Sequence, residues 1–279
     1  MMIKYGTTGA AAFIFSLFFY WLLKTVWKRR SIMKLASVQK SDRWSKDYGI
    51  PLVGGIVAVA ALAGFICYIL AFSGFRIPVP LLVSLGCGFG MFLLGLFDDL
   101  FELKSYQKFA GQIVIILVCI AFGIKARITG TVFDMAISFF WYLGITNAFN
   151  LIDNMDGLSG GIAFIAFGFL GYYFFVDGAV LYLLFCIVMV ASLLSFLIFN
   201  FKPAKIYMGD NGSLFFGFLL ALFTIVGSNS KVSGQSIIGV IVFPVLLMLI
   251  PIFDTALVSI TRKRRGQSPF QGGKDHLSH

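Results

Sequence analysis

The segment Val180-Leu-Tyr-Leu-Leu-Phe-Cys-Ile-Val-Met-Val-Ala-Ser-Leu-Leu-Ser-Phe-Leu-Ile-Phe199 runs for 20 residues without a charged side chain. As a helix rising about 1.5 Å per residue it covers about 30 Å, the thickness of the hydrocarbon core of a bilayer. The whole chain shares this character: its 279 residues are 59% hydrophobic, 17% aromatic and only 12% charged, with mean hydropathy +0.94. Soluble domains carry about 25% charged residues, so half that share leaves too little polar surface to face water. Lipid must be the solvent.

On either side of 180–199 the same reading gives eight more apolar runs, at 9–26, 52–72, 79–97, 109–123, 132–149, 161–176, 213–227 and 237–260. The runs at 109–123, 161–176 and 213–227 are the shortest. Unpaired backbone groups in hydrocarbon each cost several kcal/mol, which excludes open sheets and leaves helices. The expected fold is therefore all-α, a polytopic membrane bundle of about nine transmembrane helices. No repeat divides it and the loops are too short for a second unit, so a single domain over 1–279 is expected. The first run leads into basic residues and not into a small-residue cleavage site, so a retained helix is expected in place of a cleaved signal peptide.

The net charge of +10 does not point to nucleic acid, because the basic residues cluster in short segments between apolar runs. With the amino terminus outside and nine spans, 17 of the 22 Lys and Arg residues fall on the inner side. The positive-inside rule favours this orientation, and dropping one of the short spans would spoil the split. The four cysteines, Cys67, Cys87, Cys119 and Cys186, lie inside apolar runs without metal-binding spacing, and read as small core residues.

Ten of the 12 acidic residues, all but Asp134 and Asp177, lie in or at the rim of the inner segments. A transporter more often sets ionisable groups near the bilayer midplane, whereas groups at helix ends are reachable by a soluble substrate. An interfacial enzyme fits this one-sidedness better. The first cluster is Gly95-Leu-Phe-Asp98-Asp99-Leu-Phe-Glu102, followed by Lys104 and Lys108. Adjacent carboxylates repel, so one is expected to be held neutral or to be balanced by a cation, either Mg²⁺ or Lys108. A solvated helix end is the plain alternative.

The second cluster, Asn147-Ala-Phe-Asn150-Leu-Ile-Asp153-Asn154-Met-Asp156-Gly157-Leu-Ser-Gly160-Gly161, contains no Lys or Arg. Amide and carboxylate oxygens without a counter-cation suit Mg²⁺ and hydrogen bonds to a base or sugar. An EF-hand fails here for want of regular acidic spacing ending in Glu. The third cluster, Lys202-Pro-Ala-Lys205-Ile-Tyr-Met-Gly209-Asp210-Asn211-Gly212-Ser213, leads into a helix amino terminus, where orphan N–H groups favour phosphate. Asp210 there serves a metal more plausibly than a phosphate, or is an ordinary helix cap. The fourth is the tail, from Arg262-Lys-Arg-Arg265 to Lys274-Asp275-His276-Leu-Ser-His279, which holds both histidines of the chain. Two His and one Asp are a thin zinc set, so diphosphate binding ranks higher, beside a plain stop-transfer role for the basic run.

Asp254 falls inside the ninth run, three residues after Pro251, and either faces the bundle or caps a break at the proline. The glycines at 86, 88 and 90 lie within a span and not after a strand, so they read as close helix packing and not as a nucleotide fingerprint.

Taken together, Pro51-Leu-Val-Gly-Gly55, Asp98-Asp99, Asn150-Leu-Ile-Asp153-Asn-Met-Asp156-Gly-Leu, Met208-Gly-Asp210-Asn-Gly-Ser and Pro269-Phe270 with Lys274-Asp-His276-Leu-Ser-His279 resemble the polyprenyl-phosphate N-acetylhexosamine-1-phosphate transferases of glycosyltransferase family 4. The resemblance runs from about residue 43 to the end. Each motif alone is weak, but five in the family order on one membrane face are specific. The form of the motifs is more similar to the UDP-N-acetylglucosamine branch than to the muramyl-pentapeptide branch.

The resemblance implies transfer of a sugar 1-phosphate, that of N-acetylglucosamine, from a UDP-sugar to a membrane polyprenyl phosphate such as undecaprenyl phosphate. UMP is released and a lipid-linked sugar diphosphate is left, the first step of a cell-envelope glycan pathway. The implied cofactor is Mg²⁺, with Mn²⁺ able to substitute, and the implied place is the plasma membrane with the site on its cytoplasmic face. By the family's pattern Asn150 and Asp210 look like metal ligands. Asp98 and Asp99 would prepare or position the attacking lipid phosphate, with Asp153 shaping the metal shell. Lys108 resembles a phosphate-binding lysine. Asp156 would contact uracil, Asn211 the substrate, and His276 and His279 the sugar-phosphate side of the donor. A homodimer is compatible with the family.

Two features depart from the pattern. The tail reads Asp-His-Leu-Ser-His where the family has denser histidines, and family members continue past the position of His279 into at least one more helix. The competing readings are a phospho-muramyl-pentapeptide transferase and a transporter of lipid intermediates. The transporter predicts paired polar residues at the midplane, where Asp254 stands nearly alone. The longer aspartate-rich signature of a CDP-alcohol phosphotransferase is not found.

Overall fold

The computed structural model describes residues 2–29, 50–73, 77–229 and 245–264. Among them are nine α-helices: α1 (Met2–Arg29), α2 (Gly54–Tyr68), α3 (Val79–Phe101), α4 (Ser105–Ala121), α5 (Phe133–Ile152), α6 (Leu158–Asp177), α7 (Val180–Asn200), α8 (Gly209–Ser228) and α9 (Leu249–Arg264). A π-helical turn, Ile69–Ser73, continues α2. The protein is an all-α, multi-pass membrane bundle: seven of the helices are long and apolar enough to cross a bilayer, and α4, with 17 residues, is a shorter apolar helix. Each of the nine apolar runs meets one of these helices, the last of them only from residue 245 onward within the described residues.

The helices start earlier or end later than the apolar runs, and the difference positions the site. Helix α8 begins at Gly209 and not at 213, α6 at Leu158, and α4 at Ser105. Hydropathy marks where lipid begins, whereas backbone hydrogen bonding continues past that point into polar residues. Asp98, Asp99, Lys108, Asn150 and Asp210 therefore sit on first and last helical turns rather than in free loops.

Helix α8 is the centre of the bundle, buried along nearly its whole length although three of the other spans are more apolar. It packs against α2, α3, α5 and α6. Helix association in lipid relies on close packing and not on hydropathy, so small and weakly polar residues favour the interior position. Gly217 lets α8 approach Thr146 and Phe149 of α5. Phe223 is met edge-on by Phe167, Phe174, Tyr182 and Phe185 from α6 and α7, the favoured arrangement of ring quadrupoles.

Around this centre α7 packs on α6 and α1, α9 on α5, and α4 on α3 and α5. Asp254 of α9 is buried, so its carboxylate faces the bundle. The helical path breaks at Met248, ahead of Pro251, which occupies the first turn of α9 where a missing N–H costs nothing.

At the end of the bundle away from the motifs, Asp134 closes the turn before α5. Its carboxylate accepts the backbone N–H groups of Ile128, Thr129 and Gly130 at 3.2, 2.8 and 2.9 Å. Asn229 ties the same segment to the end of α8, accepting Arg127 N–H and donating to the Lys125 carbonyl. That end is a locked scaffold.

Candidate active site

Four helix ends meet at one mouth of the bundle: the last turn of α3, the first of α4, the last of α5 and the first of α8. Neighbouring positions on a helix point about 100° apart, so the paired carboxylates of α3 must face different partners. Asp98 turns to α4, where its Oδ2 lies 2.9 Å from Lys108 Nζ, while its Oδ1 accepts Leu103 N–H at 2.9 Å and holds the α3–α4 turn. Asp99 turns to α8. Its Oδ1 accepts the N–H of Asp210 and its Oδ2 that of Asn211, both at 2.9 Å, and the Asn211 amide adds a third bond at 2.6 Å. A carboxylate on orphan N–H groups at a helix start is favoured by both hydrogen bonding and the macrodipole.

Lys108 is the hub. Besides Asp98 its ammonium donates to Asp210 Oδ2 at 3.0 Å and to Asn150 Oδ1 at 3.3 Å. Asn150 in turn donates to Asp210 Oδ1 at 2.8 Å and to Ser213 Oγ at 2.6 Å. One cation thus joins residues that are 102 positions apart in the chain. Two carboxylates, of Asp98 and Asp210, face this single ammonium with Asp99 close behind them, so the mouth keeps a formal excess of negative charge. Low-dielectric surroundings magnify that excess.

The close approach of α3 and α8 requires glycine. A Cβ on Gly95 would run into the backbone of Asp210 and Asn211, and one on Gly55 into Asn211. The segment before α2 supplies the seat: Gly55 N–H donates to Asn211 Oδ1 at 2.9 Å, and Leu52 pairs with Tyr207 in an isolated parallel bridge. Tyr20 of α1 donates to the Gly54 carbonyl at 2.9 Å, tying the first helix to the same end.

Of the residues expected at the site, Asp98, Asp99, Lys108, Asn150, Asp210 and Asn211 form this one network. Asn211 departs from the expected substrate contact: it is fully buried and its amide is spent on Gly55, Leu52 and Asp99, so it positions its neighbours. Asp153 and Asp156 lie beside the network in the α5–α6 turn. Asp153 accepts from Ser159 Oγ, and Asp156 accepts the Ala204 N–H at 3.1 Å. Asn200 completes that clamp between Gly157 N–H and the Ile206 carbonyl. His276 and His279 lie outside the described residues.

Sequence reasoning missed the contact that Ser213 makes with Asn150, although Ser213 stands in a quoted motif. Among the described residues no three His, Cys, Asp or Glu side chains form a ready-made metal cage. The oxygens of Asp98, Asn150 and Asp210 nevertheless meet at one point held by an ammonium. Mg²⁺ characteristically takes one or two carboxylates and completes its shell with water and substrate phosphates, so this donor set fits it.

The chain resembles proteins of one chemistry along most of its length. A "Probable undecaprenyl-phosphate N-acetylglucosaminyl 1-phosphate transferase" of Bacillus subtilis (strain 168) is 32% identical over 278 residues, 96% of this chain and 75% of that protein. An "Undecaprenyl-phosphate alpha-N-acetylglucosaminyl 1-phosphate transferase" of Escherichia coli (strain K12) is 28% identical, over 95% of this chain and 74% of that protein. A "Phospho-N-acetylmuramoyl-pentapeptide-transferase" of Staphylococcus carnosus (strain TM300) is 31% identical, over 80% and 76%. The family described as "Glycosyl transferase family 4" matches residues 81–228, the span from α3 to the end of α8 that carries the Lys108 network. On that match and on the shared length with these relatives, the chain belongs to glycosyl transferase family 4.

Proposed function

We propose that this protein transfers N-acetylglucosamine 1-phosphate from a UDP-sugar to undecaprenyl phosphate, releasing UMP and leaving an undecaprenyl diphospho-sugar. The observation that carries the reading is the convergence of Asp98, Lys108, Asn150 and Asp210 at the mouth of a lipid-embedded bundle. Both reactants are polyanions, one water-soluble and one held in the membrane, and they meet only at such a mouth. The excess of basic residues on the inner side of the expected topology supports reading that mouth as the cytoplasmic one, in the plasma membrane.

Phosphoryl transfer needs little covalent help from protein; positioning and charge neutralisation dominate. Lys108 supplies a fixed positive charge for a phosphate oxygen, and Asp98 orients the ammonium that does so. Asp210 and Asn150 would hold Mg²⁺, which supplies charge neutralisation on the donor diphosphate when bound. Asp99 and Asn211 fix the first turn of α8 and with it the direction of the Asp210 side chain. Asp153 and Asp156 border the mouth where the nucleotide would lie, and His276 and His279 are assigned to the sugar-phosphate side of the donor by resemblance alone.

A second reading, transfer of phospho-N-acetylmuramoyl-pentapeptide, is favoured by the Staphylococcus relative at 31% identity. The test is to incubate purified protein with undecaprenyl phosphate and either radiolabelled UDP-N-acetylglucosamine or UDP-N-acetylmuramoyl-pentapeptide, with and without EDTA. The expected result is labelled lipid and UMP from the first donor, lost with EDTA. Lipid product from the second donor alone transfers the assignment to the second reading, and no product from either sinks both.

A further inference from the structure

One helical turn below the charged network lies a second polar contact between α4 and α5. Gln112 donates to Asn147 Oδ1 at 3.3 Å, and Asn147 donates back to Gln112 Oε1 at 2.6 Å. Asn147 also donates to the Leu143 carbonyl at 2.8 Å, so both of its amide hydrogens are committed and its orientation is fixed. Gln112 is completely buried. An amide at this depth is costly unless paired, and leucine would fill the same space without that requirement.

The placement explains the amides. Gln112 follows Lys108 by four positions and Asn147 precedes Asn150 by three, so each shares a helix face with a member of the network above. Helix α4 is short and peripheral: its buried residues are Gln112, Ile116, Cys119 and Ile120. The Leu103–Asp98 bond ties the start of α4 to α3, and Gln112, one turn below Lys108, is the first fully buried residue on the way down the helix.

We infer that the reciprocal Gln112–Asn147 pair is a positioning device that sets the register of α4 against α5, and so holds the Lys108 ammonium within reach of Asn150 and Asp210. Neither residue touches the reactants. Apolar contact between two helices tolerates sliding and rotation, whereas two hydrogen bonds of opposite direction between the same amides fix one register. The inference rests on the transfer reaction proposed above.

The experiment compares Gln112→Leu, Asn147→Leu, Gln112→Asn, Asn147→Gln and the double swap Gln112→Asn/Asn147→Gln in detergent-purified protein that elutes as a single species. Both leucine variants are expected to lose about 100-fold in kcat, the effect of misplacing a catalytic group by an ångström, with KM for the nucleotide sugar changed by less than about threefold. The single conservative variants misfit in length, and the double swap is expected to recover at least about tenfold over the weaker of them. A structural role alone would lower the amount of folded protein and leave kcat per folded molecule unchanged. That result overturns the inference, as does a double swap no better than the singles. Wild-type protein with no transfer at all sinks the proposed reaction instead, and is read from the same assay.

Discussion

Adjacent carboxylates at a helix end cannot share a partner, and the two of α3 illustrate what that geometry permits. Asp98 stands against the ammonium of Lys108, while Asp99 anchors the first turn of α8 through three N–H groups. Removing Asp99 leaves those donors without an acceptor in a buried place. Asp99→Ala is therefore expected to cost about 2 kcal/mol or more of stability, read from thermal unfolding in detergent. An unchanged transition would show that the anchor is not needed. Gly95 is constrained from the other side, because a methyl group there meets the Asp210 carbonyl. Gly95→Ala is expected to cost about 1–3 kcal/mol as α3 and α8 are forced apart. Turnover should fall with it, since Asp210 moves with its backbone; a fully active and fully stable Gly95→Ala protein would contradict the close approach.

At the scale of elements, the bundle divides its labour between its two ends. The turn held by Asp134 and Asn229 lies at the far end of α5 and α8 from the Lys108 network. Asp134→Ala should lower the unfolding temperature through the loss of four accepted hydrogen bonds, and leave kcat of the folded protein as it was. A large fall in kcat at unchanged stability would mean that the two ends are coupled. The helices were legible in the sequence because lipid demands long uncharged runs, and Val180–Asn200 is the plainest case. Their ends were less so. Asp210 and Asn211 fall ahead of the apolar run at 213–227, since hydropathy does not register the backbone bonds that make Gly209 the true start of α8. The central place of α8 was hidden because its hydropathy is ordinary among the spans, and which helix lies innermost follows from packing. Asp98, Lys108, Asn150 and Asp210 were legible as chemistry by residue type and family pattern. That Lys108 bridges the other three was not, because it depends on how α4 docks, which a single sequence does not encode locally.

For the whole molecule, the proposed reaction requires one sidedness and one point of convergence. Glu102, exposed at the mouth, and Arg127, exposed at the opposite end, report on the first requirement. A membrane-impermeant thiol reagent should label Arg127→Cys in intact cells and Glu102→Cys only after the membrane is opened. The reverse pattern would invert the orientation. The second requirement is that carboxylates scattered over more than 100 residues act together, and Asp210 is where the contacts of Lys108, Asn150 and the α8 first turn coincide. Its most direct test is the rate at which purified Asp210→Asn protein forms lipid-linked sugar from UDP-N-acetylglucosamine and undecaprenyl phosphate under saturating Mg²⁺. The variant keeps the size of the side chain and its helical position but loses the charge. The predicted result is a fall of about 1000-fold or more in a protein that elutes and unfolds like the wild type. Wild-type turnover from that variant would contradict the placing of the reaction at this mouth.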